Sequence, residues 1–415
     1  MKTSEFDFYL PETSIAAFPP ERRDDARLLV LGRNDGAMSH TRFSELEPLL
    51  PRRSLVVLND SRVFPARLFG HRKTGGHVEL LLIRKLEASD EAEPSTFPSS
   101  AGAGAGTSAD AASRGEELWD AIGRHLARVR PGAELVFPGG LEVVLVAREG
   151  EGGLVRLRLR PPVGQTVASV LEAVGEIPIP PYIVAARRVS ARRLAARLVA
   201  QGRTTEDDQA PPNPSAGEPE HARARALDRV RYQTVYAEAP GSVAAPTAGL
   251  HFTRSLLDGL RAAGHDIVTV TLHVGPGTFR PVKVDDVEDH RMDPEWYSIT
   301  EPAAAAIEAA RRESRPIVAV GTTVVRTLES AARASADGRV RAGTASSRLY
   351  LRPPDARFQV VTDLITNFHL PRSTLLMLVA AFAGPARVNA AYEAAVAAGY
   401  RFYSYGDAMF IRGSA

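Results

Sequence analysis

The chain has no cysteine among its 415 residues. Disulfides, thiolate zinc sites, iron–sulfur clusters and a cysteine nucleophile are therefore excluded. A long apolar run is missing too. The longest, residues 375–383, is far short of the ~20 residues that a membrane helix needs, and reads as a buried strand or helix. The opening MKTSEFDFYLPE has no apolar h-region, so no secretory signal and no membrane partner are expected, and the expected compartment is cytoplasmic. Lysine is scarce: Lys2, Lys73, Lys85 and Lys283 are the only ones in a total of 51 basic residues. The rest are arginines, whose planar fork suits phosphate and carboxylate. An Ala-, Arg- and Gly-rich chain is also what a GC-rich genome encodes. The net charge of +2 says little about partners. No H-x-x-x-H pair and no carboxylate cluster at ligand spacing occurs, so no catalytic metal is expected. The G-x-S-x-G elbow of the α/β-hydrolases is absent as well.

What is present supports a core: 44% of the residues are hydrophobic. Two segments look inserted. Residues 88–115 are low-complexity and are expected to be a disordered loop. Residues 185–227 are Arg- and Ala-rich, then Pro-rich, and are expected to be a disordered insertion whose first part allows a short basic helix. Short strands are predicted at 77–84, 134–137, 141–147 and 154–159, with Pro-Gly and Gly-Gly turns between them. This indicates a small all-β barrel or sandwich. Elsewhere strands at 55–58, 267–273 and 317–320 alternate with helices at 302–312, 322–334 and 389–398. The expected fold class is α/β, a large sheet domain over 1–65 and 175–415 with an all-β barrel domain inserted at 66–174.

Six segments carry polar groups beside Gly or Pro, most of them at the ends of predicted strands. The richest is 232–253, YQTVYAEAPGSVAAPTAGLHFT, whose irregular small-residue path delivers His251. NDSRVFPARL begins at Asn59 and follows a strand, where α/β sheets place ligands. Asn59 and Asp60 suit ligand fixing and Arg62 and Arg67 suit an anion; a capped turn with surface arginines is the bland alternative. TLHVGPGTFRP carries His273 into a Gly275–Gly277 turn whose N–H groups can cradle an anion, without being a dinucleotide fingerprint or a P-loop. VGTTVVRTLES puts Thr322 and Thr323 at a helix N-terminus, a common carboxylate site. Its Arg326 and Glu329 stand i, i+3, so a plain surface ion pair is the alternative. TNFHLPRST carries Asn367 and His369, and YSYGDAM carries Asp407. Three histidines on separate strand-terminal turns point to a shared cleft.

Taken together these segments resemble the S-adenosylmethionine:tRNA ribosyltransferase-isomerases of queuosine biosynthesis. The matching stretches run nearly end to end, and include FDFYLPETSIAAFPPERRDDARLLVL, GEIPIPPYI and TDLITNFHLPRSTLLMLVAAFAG besides those above. The resemblance implies an α/β domain with an inserted β-barrel. It also implies that S-adenosylmethionine is a co-substrate that gives up its ribosyl part. The acceptor is 7-aminomethyl-7-deazaguanine at the tRNA wobble position. The sugar rearranges, adenine and methionine leave, and epoxyqueuosine in tRNA results. The implied partners are tRNA and S-adenosylmethionine, and a monomer is expected.

Such chemistry needs a base for a C5′ proton beside the sulfonium and an acid for the departing adenine. His251, His273 and His369 are the candidates, with Asp407 as carboxylate partner or base. Thr247, Thr322 and Thr323 suit the methionine carboxylate or ribose hydroxyls, and Gly249, Gly275, Gly277 and Asn367 complete the expected substrate contacts. Arg62, Arg67, Arg280 and Arg326 suit tRNA phosphate or carboxylate. Two departures from the family pattern stand out. Asp293 follows Met292 where a His is usual, and Arg348, Arg352, Pro353 and Pro354 replace an acidic residue and a Pro-Gly turn. These leave two alternatives: an S-adenosylmethionine-using paralogue with a different acceptor, and a non-catalytic RNA-binding homologue.

Overall fold

The structure is a computed structural model that describes residues 1–86, 115–126, 129–149, 153–200, 219–275, 277 and 282–413. The chain divides into two compact units. The larger comprises residues 1–62, 179–239 and 244–415, and the smaller 63–178 and 240–243. The fold class is the expected one, a large sheet with helices and a closed all-β barrel.

The smaller unit is built on alternation. In Leu154–Arg160 (LVRLRLR) Val155, Leu157 and Leu159 are buried while the arginines between them point outward. The same period runs through His77–Leu86 and Glu142–Glu149, so each strand offers one apolar face. Six antiparallel strands close on themselves in the order Leu154–Arg160, Glu117–Arg124, His77–Leu86, Arg67–Arg72, Glu134–Val136, Glu142–Glu149. Closure removes both sheet edges and buries Leu68, Leu80, Leu135, Leu145 and Leu157 in one core.

The larger unit carries nine strands in one mixed sheet. Their order is Gly343–Ser347, Glu295–Ile299, Asp266–Leu272, Leu55–Asn59, Ile317–Val320, Asp363–Asn367, Ala408–Arg412, Arg27–Gly32, Met38–Arg42. The central strands are apolar on both faces because both are covered. Leu55, Val57, Ala319 and Leu364 pack with helices Glu301–Arg312 and Thr322–Ala334. Val56, Leu58, Val320 and Ile365 face the other way, onto helix Arg254–Ala262. Residues 375–383 are resolved as helical, within Thr374–Ala383. No single helix among the described residues is long and apolar enough to cross a membrane.

The segment 185–227 departs from expectation. Pro181–Ala200 and Pro219–Arg231 are α-helices, so disorder is not what the described part shows. Alanine and arginine are strong helix formers. Arg187 also ties the two helices together through a two-pronged pair with Asp228, at 2.7 Å on each prong. Residues 201–218 lie outside the described residues, as do 88–114 of the expected low-complexity loop.

Candidate active site

Four strands of the large sheet, Asp266–Leu272, Leu55–Asn59, Ile317–Val320 and Asp363–Asn367, run parallel and therefore end on one edge. Ala408–Arg412 is antiparallel to Asp363–Asn367, with Ala408 opposite Asn367, so its beginning lies on that same edge. A cleft opens there, at the strand ends where sheets of this kind place ligands. It is walled by segments 244–248, 321–323, 366–370 and 403–404, joined by Tyr182, Val274 and Ser373.

Gly321 turns the chain from strand into helix Thr322–Ala334 at φ 94°, a conformation that L side chains rarely adopt. A glycine cannot cap a helix with a side chain. The first intrahelical bond runs only from Val325 N–H to Gly321 O (3.3 Å). The first-turn N–H groups and the positive end of the helix dipole thus stand at the cleft.

His369 lines the cleft and is buried. Its Nε2 lies 2.8 Å from Thr366 Oγ1, and its backbone N–H donates to Tyr392 Oη at 3.0 Å. Burial pushes its pKa down to about 3. Asn367, also buried, donates from Nδ2 to His251 Nε2 (3.0 Å) and to Tyr403 O (3.1 Å). Its Oδ1 is buried with no partner among the described residues. Tyr403 holds a left-handed backbone at φ 69° and stacks on Tyr182 with ring centroids 4.6 Å apart. A bulky residue at that φ costs about 1–3 kcal/mol. Here it is held by the bonds Tyr403 N–H to Phe368 O (3.1 Å) and Gly406 N–H to Tyr403 O (2.8 Å). Tyr182 Oη and Ser404 Oγ share a 2.5 Å hydrogen bond. Among the described lining residues none is Asp, Glu, Lys or Arg. The cleft is polar through hydroxyls, amides and one neutral imidazole.

The profile of the family described as queuosine biosynthesis protein matches residues 3–411. The chain belongs to that family. Among curated relatives, the S-adenosylmethionine:tRNA ribosyltransferase-isomerase of Sorangium cellulosum is 45% identical over 417 residues, covering 100% of this chain and 99% of the relative. The protein of the same name from Anaeromyxobacter sp. (strain Fw109-5) is 46% identical and covers 99% of both chains. The crystal structure of S-adenosylmethionine tRNA ribosyltransferase from Thermotoga maritima aligns with a TM-score of 0.46 at 30% identity, over 98% of this chain and 100% of that one.

Within this family member the expected site residues separate into two groups. Thr247, Thr322, Thr323, Asn367 and His369 line the cleft. His251 does not. It sits behind Asn367, against the Phe43 ring at 5.1 Å, and burial pushes its pKa down to about 4. His273 also lies off the lining, with its Nδ1 buried and without a partner among the described residues; burial lowers its pKa.

Asn59 spends its amide on the fold: Nδ2 donates to Leu272 O (3.0 Å) and Oδ1 accepts from the N–H groups of Leu272 and Ser61 (3.1 Å each). Asp60 accepts from Thr271 Oγ1 at 2.7 Å. Gly249 serves packing rather than substrate, since a Cβ there would meet Tyr236 Oη at 2.0 Å. Gly275 donates its N–H to Glu295 (3.2 Å), and Gly277 lies against Asp293, the residue that departs from the family pattern.

The remaining charged candidates need correction. Asp407 accepts from the Arg27 N–H (3.0 Å), the Arg27 guanidinium (3.0 and 3.2 Å) and the Arg401 N–H (2.8 Å), so its oxygens anchor the turn, and its charge reaches His251 only through space, against the burial that lowers that ring's pKa. Arg326 is buried and paired with Glu295, and it donates to Leu349 O (3.2 Å), so it offers nothing to tRNA. Glu329 is not its partner: that carboxylate accepts the N–H groups of Gln359, Val360 and Val361 at 2.9–3.1 Å. Arg67 lies on a barrel strand, paired with Glu79 at 2.9 Å. Arg62 is exposed, and Arg280 lies outside the described residues.

Sequence reading passed over Tyr182, Thr366, Tyr403 and Ser404. Each sits inside a stretch of family resemblance, but hydroxyls and a strained tyrosine give no periodic signal.

Proposed function

We propose that this chain is an S-adenosylmethionine:tRNA ribosyltransferase-isomerase. It moves the ribosyl part of S-adenosylmethionine onto 7-aminomethyl-7-deazaguanine at the tRNA wobble position and isomerises it to give epoxyqueuosine in tRNA, with loss of adenine and methionine. The observation that carries this reading is that the segments of family resemblance, far apart in sequence, meet around one cleft at the strand ends.

The cleft's chemistry is compatible with the donor. None of its described lining residues carries a fixed charge to compete with a sulfonium, and its helix N-terminus favours a carboxylate. His369 is the histidine placed to take the C5′ proton, because its low pKa keeps a lone pair available at neutral pH. The same burial weakens it as a base. A substrate carboxylate entering the cleft would raise its pKa and restore basicity. Phosphate contacts fall to exposed arginines of this unit, such as Arg62, Arg188 and Arg192.

Incubating the protein with S-adenosylmethionine and tRNA bearing the aminomethyl-deazaguanine tests the reading. Adenine release that depends on the modified tRNA supports it. Adenine release without that tRNA would indicate a different acceptor, and tRNA binding without any release would indicate a non-catalytic homologue.

A further inference from the structure

The strand register names the subsite for one end of the donor, on the reading above that S-adenosylmethionine is a substrate. Val320 stands opposite Ile365 in parallel strands, and Gly321 N–H bonds Ile365 O at 2.7 Å. Two residues beyond that pair, Thr322 and Asn367 leave the sheet on adjacent strands, which lie ~4.8 Å apart. Both line the cleft. Thr322 opens a helix of 13 residues with no capping side chain, so its first N–H groups are donors awaiting an acceptor. Asn367 is the complement. Its amide nitrogen is committed to His251 and Tyr403, while its buried Oδ1 has no partner among the described residues. Among the described residues, an acceptor without a partner thus stands on the strand next to a set of uncapped donors, and no charged side chain lines the cleft.

We propose that the α-amino-acid end of S-adenosylmethionine lies across these two strand ends, with its carboxylate on the first-turn N–H groups and its ammonium donating to Asn367 Oδ1. A zwitterion supplies one acceptor group and one donor group at the spacing of one α-carbon. A bare nucleoside would leave both protein groups unpaired.

Calorimetric titration, without tRNA and with unmodified tRNA bound, tests this, comparing S-adenosylmethionine with its decarboxylated and its deaminated analogues. The intact enzyme should bind each analogue about tenfold or more weakly, the usual worth of a charge-assisted hydrogen bond. Thr322→Pro removes one N–H at the helix position where proline is tolerated, and should erase most of the carboxylate preference. Thr322→Ala keeps the N–H and should retain that preference. Asn367→Ala should abolish discrimination against the deaminated analogue alone. Equal affinity of the intact enzyme for donor and analogues overturns the subsite and leaves the functional reading standing. Retention of full carboxylate preference by Thr322→Pro overturns it equally. Failure of all three ligands to bind the intact enzyme, both without tRNA and with tRNA bound, defeats the functional reading itself.

Discussion

The Nδ2 atom of Asn367 lies 3.0 Å from His251 Nε2 and 3.1 Å from the Tyr403 carbonyl oxygen. A carbonyl only accepts, so the atom between them is the amide nitrogen, and His251 Nε2 must accept as well. His251 is therefore neutral, with its proton on Nδ1. Nitrogen-15 NMR at pH 6 should find this ring in the Nδ1–H form, since burial lowers its pKa to about 4. Titration near 6.5, or an Nε2–H signal, would refute the arrangement.

Acid should weaken the fold before carboxylates titrate. His251 and His369 bind protons in the native state only near pH 4 and 3, whereas in the unfolded chain they do so near their ordinary 6.5. The unfolded state thus takes up more protons as pH falls below 6.5. Stability is lost through that window at up to about 1.4 kcal/mol per pH unit for each histidine. Above pH 7 the two contribute no slope. Urea unfolding at pH 7.5, 6 and 5 measures it, and a flat profile would contradict the buried neutral state of both rings.

Gly249→Ala should destabilise by about 1–3 kcal/mol through overpacking against Tyr236. The Tyr236 hydroxyl is buried with no partner among the described residues, so Tyr236→Phe should cost little alone. Added to Gly249→Ala, it should recover part of the loss. Strictly additive effects in denaturant melts would show that the two residues do not meet.

Arg326→Ala removes a buried guanidinium from its pair with buried Glu295 and should cost about 3–5 kcal/mol. Replacing both residues by apolar ones should cost less. If Arg326→Ala instead keeps full stability and only lowers tRNA affinity, the burial described here is wrong and the sequence-based expectation stands.

That pair also shows where sequence reading stops. Apolar runs at 55–58 and 317–320 announced their strands because each alternate residue meets a covered face. The threonines just past 317–320 announced the cleft, since parallel strands deliver their ends to one edge, whereas Asn59 and Asp60, just past 55–58, bind the fold. Partnerships did not show. Arg326 and Glu329 share a helix face locally, yet Arg326 pairs with Glu295, and Glu329, besides its i, i+4 pair with Arg333, accepts the Gln359–Val361 amides about thirty positions away. Asp407 looked catalytic beside its Gly, but it binds Arg27, 380 positions earlier. Whether a polar side chain faces a ligand or the fold depends on such remote partners, which local spacing does not encode.

The strand Ala408–Arg412 lies inside the sheet, between Asp363–Asn367 and Arg27–Gly32. Among the described strands of that sheet it is also the last to be synthesised. Until it emerges from the ribosome, two apolar strands made earlier face each other across an open slot, each with an unpaired edge. The cleft, which borrows Tyr403 and Ser404 from the approach to that strand, can close only then. Assembly of the sheet thus waits on Ala408–Arg412, and a nascent chain stalled short of that strand would be a client for chaperones rather than a partly active enzyme.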